Sequence, residues 1–305
     1  MKLIEEYPFY KYFIIFFILI TILFTVVRIF VINYSLPYLI EISRDVDFDI
    51  LIRGLNNGLL NFYKPIEMPP GIPEWPPYYL YFWYFMFLPM KLIPFEVGVY
   101  IWDLFRLTAV SYVVYNSYNY FKNKKDLFIF YLLLSAGFVI DAWFNNVNFI
   151  ILFLLYYSYV ALDKGNKWIS GLLFTLSTFK INSILFLPIL LIIKKIRFKD
   201  LYYYMIPFAF ICLPYMIFPN YFFQMISNWF SSQDTVLGFS ILDSILWKAL
   251  QPSHLMFISF LYITFFENIE EFRKKSLLRK IILLMLLFYY LYLSLVTWIV
   301  PLIFS

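Results

Sequence analysis

The hexapeptide Arg44-Asp45-Val46-Asp47-Phe48-Asp49 places three carboxylates at alternate positions directly after the first membrane-length apolar segment. In an extended or turn segment all three would point the same way. On a helix Asp45 and Asp49 would share a face and Asp47 would point away, and the spacing leaves both arrangements open. Crowded carboxylates raise one another's pKa. One that is partly dehydrated near a membrane surface can take a proton from a substrate hydroxyl, a role worth about 10²- to 10⁴-fold in rate. The plainer alternative is a solvated turn or a helix cap. Downstream the connection runs through Tyr63-Lys64-Pro65 to Trp75-Pro76-Pro77, so the acids stand at the head of a long aromatic loop.

Lys180 interrupts an apolar stretch, where an ammonium costs on the order of 2.5–3.5 kcal/mol on insertion scales, so a compensating anion such as a phosphate is expected. Snorkelling to the interface is the alternative. Arg28, near the end of the first apolar run, and Arg44 could join the same anion site or merely anchor their helix at the headgroups. Asp103 and Arg106 lie three apart on one predicted helix and most simply neutralise each other. Asn145, Asn146 and Asn148 follow Asp141 at the end of a span, where amides could bind sugar hydroxyls or cap the next helix. His254 is the only histidine and Cys212 the only cysteine, which excludes an internal disulfide, a multi-cysteine or histidine-rich metal site and a histidine-based triad with a redundant partner. Neither a glycine-rich phosphate loop nor a GxSxG elbow occurs.

The elements that must position these residues are membrane helices. With 63% hydrophobic, 24% aromatic and 14% charged residues, the 305-residue chain has too little polar surface to cover a soluble globule. Runs of about the length needed to cross a bilayer recur over 12–27, 127–140, 149–162, 202–219, 254–266 and 281–305, without the alternation of a barrel. The expected fold is an all-α polytopic transmembrane bundle forming a single domain over 1–305, with about 8–11 membrane helices, some re-entrant or half-spanning. Residues Met1-Lys2, Glu5 and Glu6 precede the first run and no small-residue cleavage site follows it, which suits a retained first helix.

The net charge of +5 comes from short basic clusters between apolar runs, a pattern that orients loops and argues against a nucleic-acid partner. Lys122-Lys125, Lys164-Lys167, Lys194-Lys199 and Arg273-Lys280 should all face the cytoplasm, which requires two segments not to cross. Pro76 to Pro94, bounded by prolines and rich in aromatics, suits an interfacial or re-entrant helix. Gly171 to Ile193, broken at Lys180-Ile181-Asn182-Ser183, suits a hairpin that rises and returns. The first loop at about 34–96, the segment at about 141–148 and the loop at about 220–240 then face outward together.

In its order of features the chain resembles the GT-C superfamily of integral-membrane glycosyltransferases. Asp47-Phe48, Arg53, Gly58, Tyr63-Lys64-Pro65 and Pro76-Pro77 look like the first outer loop of glycosyltransferase family 87, the bacterial and archaeal mannosyltransferase-like group. Asn146-Val147-Asn148, Gly171-Leu172-Leu173 and Phe179-Lys180 resemble that family's helix start and hairpin, although Asn146 stands where glutamine is usual and Asn182 or its neighbour where a proline is. Asp45-Val46-Asp47-Phe48 is also similar to the Asp-x-Asp loop of the first mannosyltransferase of GPI-anchor synthesis, and Phe179-Lys180-Ile181 to the same enzyme.

The resemblance implies transfer of a hexose, mannose first among them, from a polyprenyl-phosphate sugar to a glycolipid or glycan acceptor, with inversion, at the outer face of a prokaryotic plasma membrane. It implies Asp47 as general base with Asp45 positioning the acceptor or a divalent ion; the two carboxylates could hold Mg²⁺ or Mn²⁺, though relatives need no metal. Lys180, with Arg44 or Arg28, would hold the donor phosphate, and Asn145, Asn148, Asp49 and Tyr63 would contact sugar or acceptor. The competing readings are a transporter or lipid flippase, which would need interrupted helices in two related halves, and a non-catalytic subunit of a glycosyltransferase complex. Oligomeric state is left open.

Overall fold

The computed structural model of the protein describes residues 8–34, 46–58, 61–64, 77, 79–143, 145–178, 180–234, 254–269 and 277. Among them are twelve α-helices and no strand, as an all-α membrane bundle requires. Three helices are long and apolar enough to cross a bilayer. They are α1 (Tyr10–Tyr34), α4 (Phe95–Tyr120) and α5 (Lys124–Trp143). At about 1.5 Å per residue each spans about 30 Å or more. Shorter apolar helices fill the bundle: α6 (Asn148–Asp163), α7 (Lys167–Ser177), α8 (Phe186–Ile192), α9 (Tyr202–Ile211) and α12 (Leu255–Asn268).

On α1 the buried residues Phe17, Phe24 and Arg28 fall seven and four apart and so form one inward stripe, while Ile15, Ile18, Leu19, Ile22, Leu23 and Val26 are exposed along the rest of the helix. The same arithmetic on α4 buries Asp103, Arg106, Val110, Val113 and Ser117. Helices α1, α4 and α5 pack on one another, α5 and α6 hold α12 between them, and α6, α7 and α9 continue the bundle. The α7–α9 contact depends on Gly171: a Cβ there would lie 1.9 Å from the carbonyl oxygen of Tyr203.

The two segments expected not to cross behave as short structures. Between Leu80 and Pro94 lie α3 (Tyr81–Phe87) and a 3₁₀ turn (Leu88–Leu92), together about 20 Å long. From Lys167, α7 rises to Lys180, a 3₁₀ turn covers Ile181–Leu185, and α8 returns to Lys194. The return is fixed by ion pairs. Lys195 binds Asp163 at the end of α6, and Lys167 binds Asp200 at 2.9 Å. Glu267 at the end of α12 accepts the backbone N–H groups of Lys122 and Asn123 at 3.1 and 3.3 Å. The described lysine clusters therefore gather at one pole of the bundle, while Arg273-Lys280 lies outside the described residues except Leu277.

The opposite pole is built from connections. Helix α2 (Val46–Asn56) begins inside the acidic motif and is followed by Gly58, whose φ of 78° lies in the left-handed region. The stretch expected to face outward at about 220–240 includes most of α11 (Pro219–Asp234), preceded by α10 (Leu213–Ile217). Asn228 on α11 donates to the carbonyls of Tyr63 and Pro77, both at 2.8 Å, tying that helix to the first connection.

Candidate active site

At this pole the corner between α5 and α6 sets the geometry. The N–H of Asn146 bonds the Asp141 carbonyl at 2.8 Å, closing α5 with Asn145 in the left-handed region at φ 46°. Glycine is commonest at such a helix end and asparagine is next. Asp141 then serves three partners: its carbonyl ends α5, its Oδ1 takes the Asn148 N–H that opens α6 at 3.1 Å, and its Oδ2 takes Arg106 Nε at 2.9 Å. A corner so held is rigid, and Asp141, Asn145, Asn146 and Asn148 in it are buried.

Arg106, 1% exposed, is the hub. Its Nη1 donates to Asp103 Oδ1 at 2.7 Å, its Nη2 to the side-chain oxygen of Asn145, and its guanidinium carbon sits 5.5 Å from the Phe149 ring centre. Asp103 also pairs through Oδ2 with Arg28 Nη1, which draws α1 into the cluster. Across the corner Lys180, at the turn of the α7–α8 hairpin, donates to Asn146 Oδ1 at 2.5 Å and lies 5.9 Å from the Tyr79 ring centre. The described members of this cluster thus bring three cations and two carboxylates together from α1, α4, α5 and the hairpin. In a membrane-embedded bundle such groups are costly to bury unless they pair, which makes the cluster the candidate site.

The expectation that Asp103 and Arg106 neutralise each other holds only in part, since each has a second partner of opposite charge. Sequence reasoning missed Arg106, Asp103 and Asp141 as members of the site. Arg28 and Lys180, expected to share an anion site, belong to the same cluster, joined through Asp103, Arg106 and Asn145-Asn146.

Asp47 and Asp49 lie in the first turn of α2, so the helical alternative holds for their backbone; their side chains, and Arg44 and Asp45 entirely, lie outside the described residues. Helix α2 is nonetheless docked on the cluster. Phe48, 1% exposed, packs on Trp102 with ring centres 5.2 Å apart, and Trp102 Nε1 donates to the Asn146 carbonyl at 3.3 Å. The acidic helix start, the indole and the backbone of Asn146, whose side chain holds Lys180, are therefore consecutive contacts. Among the described residues no group of three or more metal-ligating side chains occurs; Asp45 and the Asp47 side chain lie outside that set.

Tyr63 stands apart from the charged cluster by one residue. Its hydroxyl donates to the Tyr79 carbonyl at 2.8 Å and shares a 2.7 Å hydrogen bond with Tyr215. Burial, with Tyr215 beside it, pushes its pKa well above the ordinary phenol value, so it stays protonated. In this arrangement it fastens the first connection beneath Tyr79, the residue whose ring flanks Lys180.

A family model, glycosyltransferase family 87, matches residues 78–300, nearly three quarters of the chain. The matched span includes Asp103, Arg106, Asp141, Asn145, Asn146, Asn148 and Lys180, whereas Arg28 and Asp47 lie upstream of it. No curated protein and no solved structure matches the chain.

Proposed function

Because the chain belongs to glycosyltransferase family 87, we propose that it moves a hexose, mannose first, from a polyprenyl-phosphate sugar to a lipid-linked or glycan acceptor outside the cytoplasm of a prokaryote. Membership makes it a membrane glycosyltransferase. The observation that carries the finer reading is the buried cluster of Arg28, Arg106 and Lys180 with Asp103 and Asp141, opposite the lysine-rich pole. By the positive-inside bias that lysine-rich pole faces the cytoplasm, which turns the cluster outward.

In this mechanism Lys180 holds the donor phosphate, with Arg28 deeper in the same charged cluster and Asn145 and Asn148 on the sugar side. Asp47, carried on α2 and held near the cluster by Phe48 and Trp102, takes the proton of the acceptor hydroxyl as its oxygen bonds the anomeric carbon. The bond from that carbon to the phosphate oxygen breaks on the opposite face, its electron pair leaves with polyprenyl phosphate, and the configuration inverts. Fixed cations, already desolvated, stabilise the charge that develops on the leaving phosphate better than water would.

The test is transfer of radiolabelled mannose from synthetic polyprenyl-phosphate-mannose to membrane glycolipids by purified protein. Asp47→Ala should abolish transfer while the fold persists, and Lys180→Ala should raise the donor KM. Undiminished transfer by Asp47→Ala would sink the mechanism, and transfer only from another sugar donor would replace mannose.

A further inference from the structure

Among the described residues, two hydrogen-bond donors, one next to Asn146 in the chain and one in the turn after Lys180, have no partner. Asn145 Nδ2 is buried without an acceptor, and its identity as the donor end of the amide is fixed by Arg106, which occupies the oxygen end. Ser183 Oγ is likewise unpaired, on a fully buried residue. The Ser183 N–H closes a turn on the Lys180 carbonyl at 3.1 Å, so Ser183 sits in the first turn that Lys180 opens. Asn145 in turn adjoins Asn146, the amide that receives the Lys180 ammonium. A buried donor left unsatisfied costs about 1–3 kcal/mol, and acceptor oxygens of a ligand held by Lys180 would satisfy both. Closure of α5 demands only the left-handed conformation at position 145, which glycine would provide without strain. What asparagine adds there is the amide.

We propose that Asn145 Nδ2 and Ser183 Oγ complete, with Lys180, a three-donor cradle for the oxygens of a sugar phosphate, and that Arg106, clamped by Asp103 and Asp141, is the positioning residue that turns the Asn145 amide donor-side to the ligand. This rests on the polyprenyl-phosphate-sugar reading above and assigns the contacts within it. Lys180 and Ser183 serve the phosphate. Asn145 serves either a phosphate oxygen or a sugar oxygen next to it.

The experiment measures binding of polyprenyl phosphate and of polyprenyl-phosphate-mannose to the full-length protein in lipid nanodiscs, with thermal stability followed in parallel. Asn145→Asp keeps the oxygen that Arg106 binds and reverses the polarity of the other atom. It should weaken binding by tenfold or more, since a hydrogen bond to a charged group is worth about that factor. Equal weakening for both ligands places the Asn145 contact on the phosphate; weakening for the mannosyl lipid alone places it on the sugar. Ser183→Ala should weaken both ligands about tenfold, and it keeps the proposal testable if Asn145→Asp does not fold. Arg106→Lys, which loses the fork, should raise the donor KM, and Asn145→Ala should make the Arg106→Lys effect on KM disappear. Wild-type binding with both single variants unchanged would overturn the cradle and leave the donor reading intact, whereas absence of wild-type binding to either lipid would overturn both.

Discussion

Asp103→Asn and Asp200→Asn form a matched pair in which burial decides the outcome. Each carboxylate lies within 3 Å of a cationic nitrogen: Arg106 Nη1 to Asp103 at 2.7 Å and Lys167 Nζ to Asp200 at 2.9 Å. Distance alone would make the two substitutions equally costly. Asp103, however, holds two guanidinium groups that are 1% exposed, whereas the Lys167 side chain is 32% exposed and exchanges its partner for water. Removing one member of a buried pair leaves an uncompensated charge and costs about 3–5 kcal/mol. A partly exposed pair is worth about 0–1 kcal/mol. In Asp103→Asn, Arg28 loses its Asp103 counterion and Arg106 keeps only Asp141. Denaturant unfolding of the purified protein in mixed micelles should separate the variants by at least about 2 kcal/mol, the gap left between those two ranges. Equal loss of stability, or no loss for Asp103→Asn, would refute the idea that this cluster is desolvated and closed.

Gly171→Ala forces the α7 and α9 backbones apart by about 1.5 Å, because a Cβ at 1.9 Å from the Tyr203 carbonyl must retreat to ordinary contact near 3.4 Å. Overpacking of this kind costs about 1–3 kcal/mol and should also displace the hairpin that presents Lys180, lowering transfer; unchanged melting and activity would mean the two helices do not meet there. Trp102→Phe removes the indole donor to Asn146 but keeps a ring against Phe48, so stability should fall by about 1 kcal/mol while the donor KM rises, as read by unfolding and initial-rate kinetics. The Asp200 carboxyl is held below its usual range chiefly by the Lys167 hydrogen bond, so its contribution is present above about pH 4 and disappears as pH falls through the lower folded-state pKa. The stability difference between wild type and Asp200→Asn should therefore shrink below pH 4, and a difference that grew on acidification would contradict the assignment.

The bundle was legible because membrane-length apolar runs and lysine clusters are one-dimensional signals. The clusters around Lys122, Lys164 and Lys194 meet at one pole, as orientation by basic loops requires, and that requirement together with the break at Lys180-Ile181-Asn182-Ser183 pointed to the hairpin at Gly171 to Ile193. Helix phase was harder to read. In a membrane helix the lipid-facing and core-facing positions are both apolar, so hydropathy does not say which way Asp103 and Arg106 point. Their i,i+3 spacing suggested a self-contained pair, and nothing in that spacing announces that Arg28 and Asp141 approach from other helices. The available signal was cost: charges at Arg28, Asp103, Arg106 and Asp141 inside apolar runs are dear unless they meet one another. Asn145 was legible as a candidate from its amide, but which end of that amide it offers depends on Arg106, 39 residues away. Within the segment expected to face outward at 220–240, Tyr221 of α11 packs on Tyr63 and Tyr81, a tertiary contact that local composition does not encode.

A charged cluster of this kind is poor value for stability alone, since a well-packed apolar replacement of a buried ion network is often neutral or better. That distinction can be used to separate holding the fold from doing chemistry. In the combined variant Arg28→Met, Asp103→Leu, Arg106→Met, Asp141→Asn, the two guanidinium groups are removed together with the two carboxylates that pair with them. The amide at position 141 still offers an oxygen to the Asn148 N–H that opens α6. The variant should therefore keep helical content and unfold within about 2 kcal/mol of the wild type, whereas Asp103→Asn alone loses more. Transfer should nonetheless be absent, because Asn145 no longer has Arg106 to orient it and Lys180 has lost the charged surroundings that place it against the donor phosphate. Circular dichroism, denaturant unfolding and the mannosyl-transfer assay on the same preparation decide the matter. A folded combined variant that still transfers sugar would make the cluster a structural device and move the chemistry elsewhere on the pole.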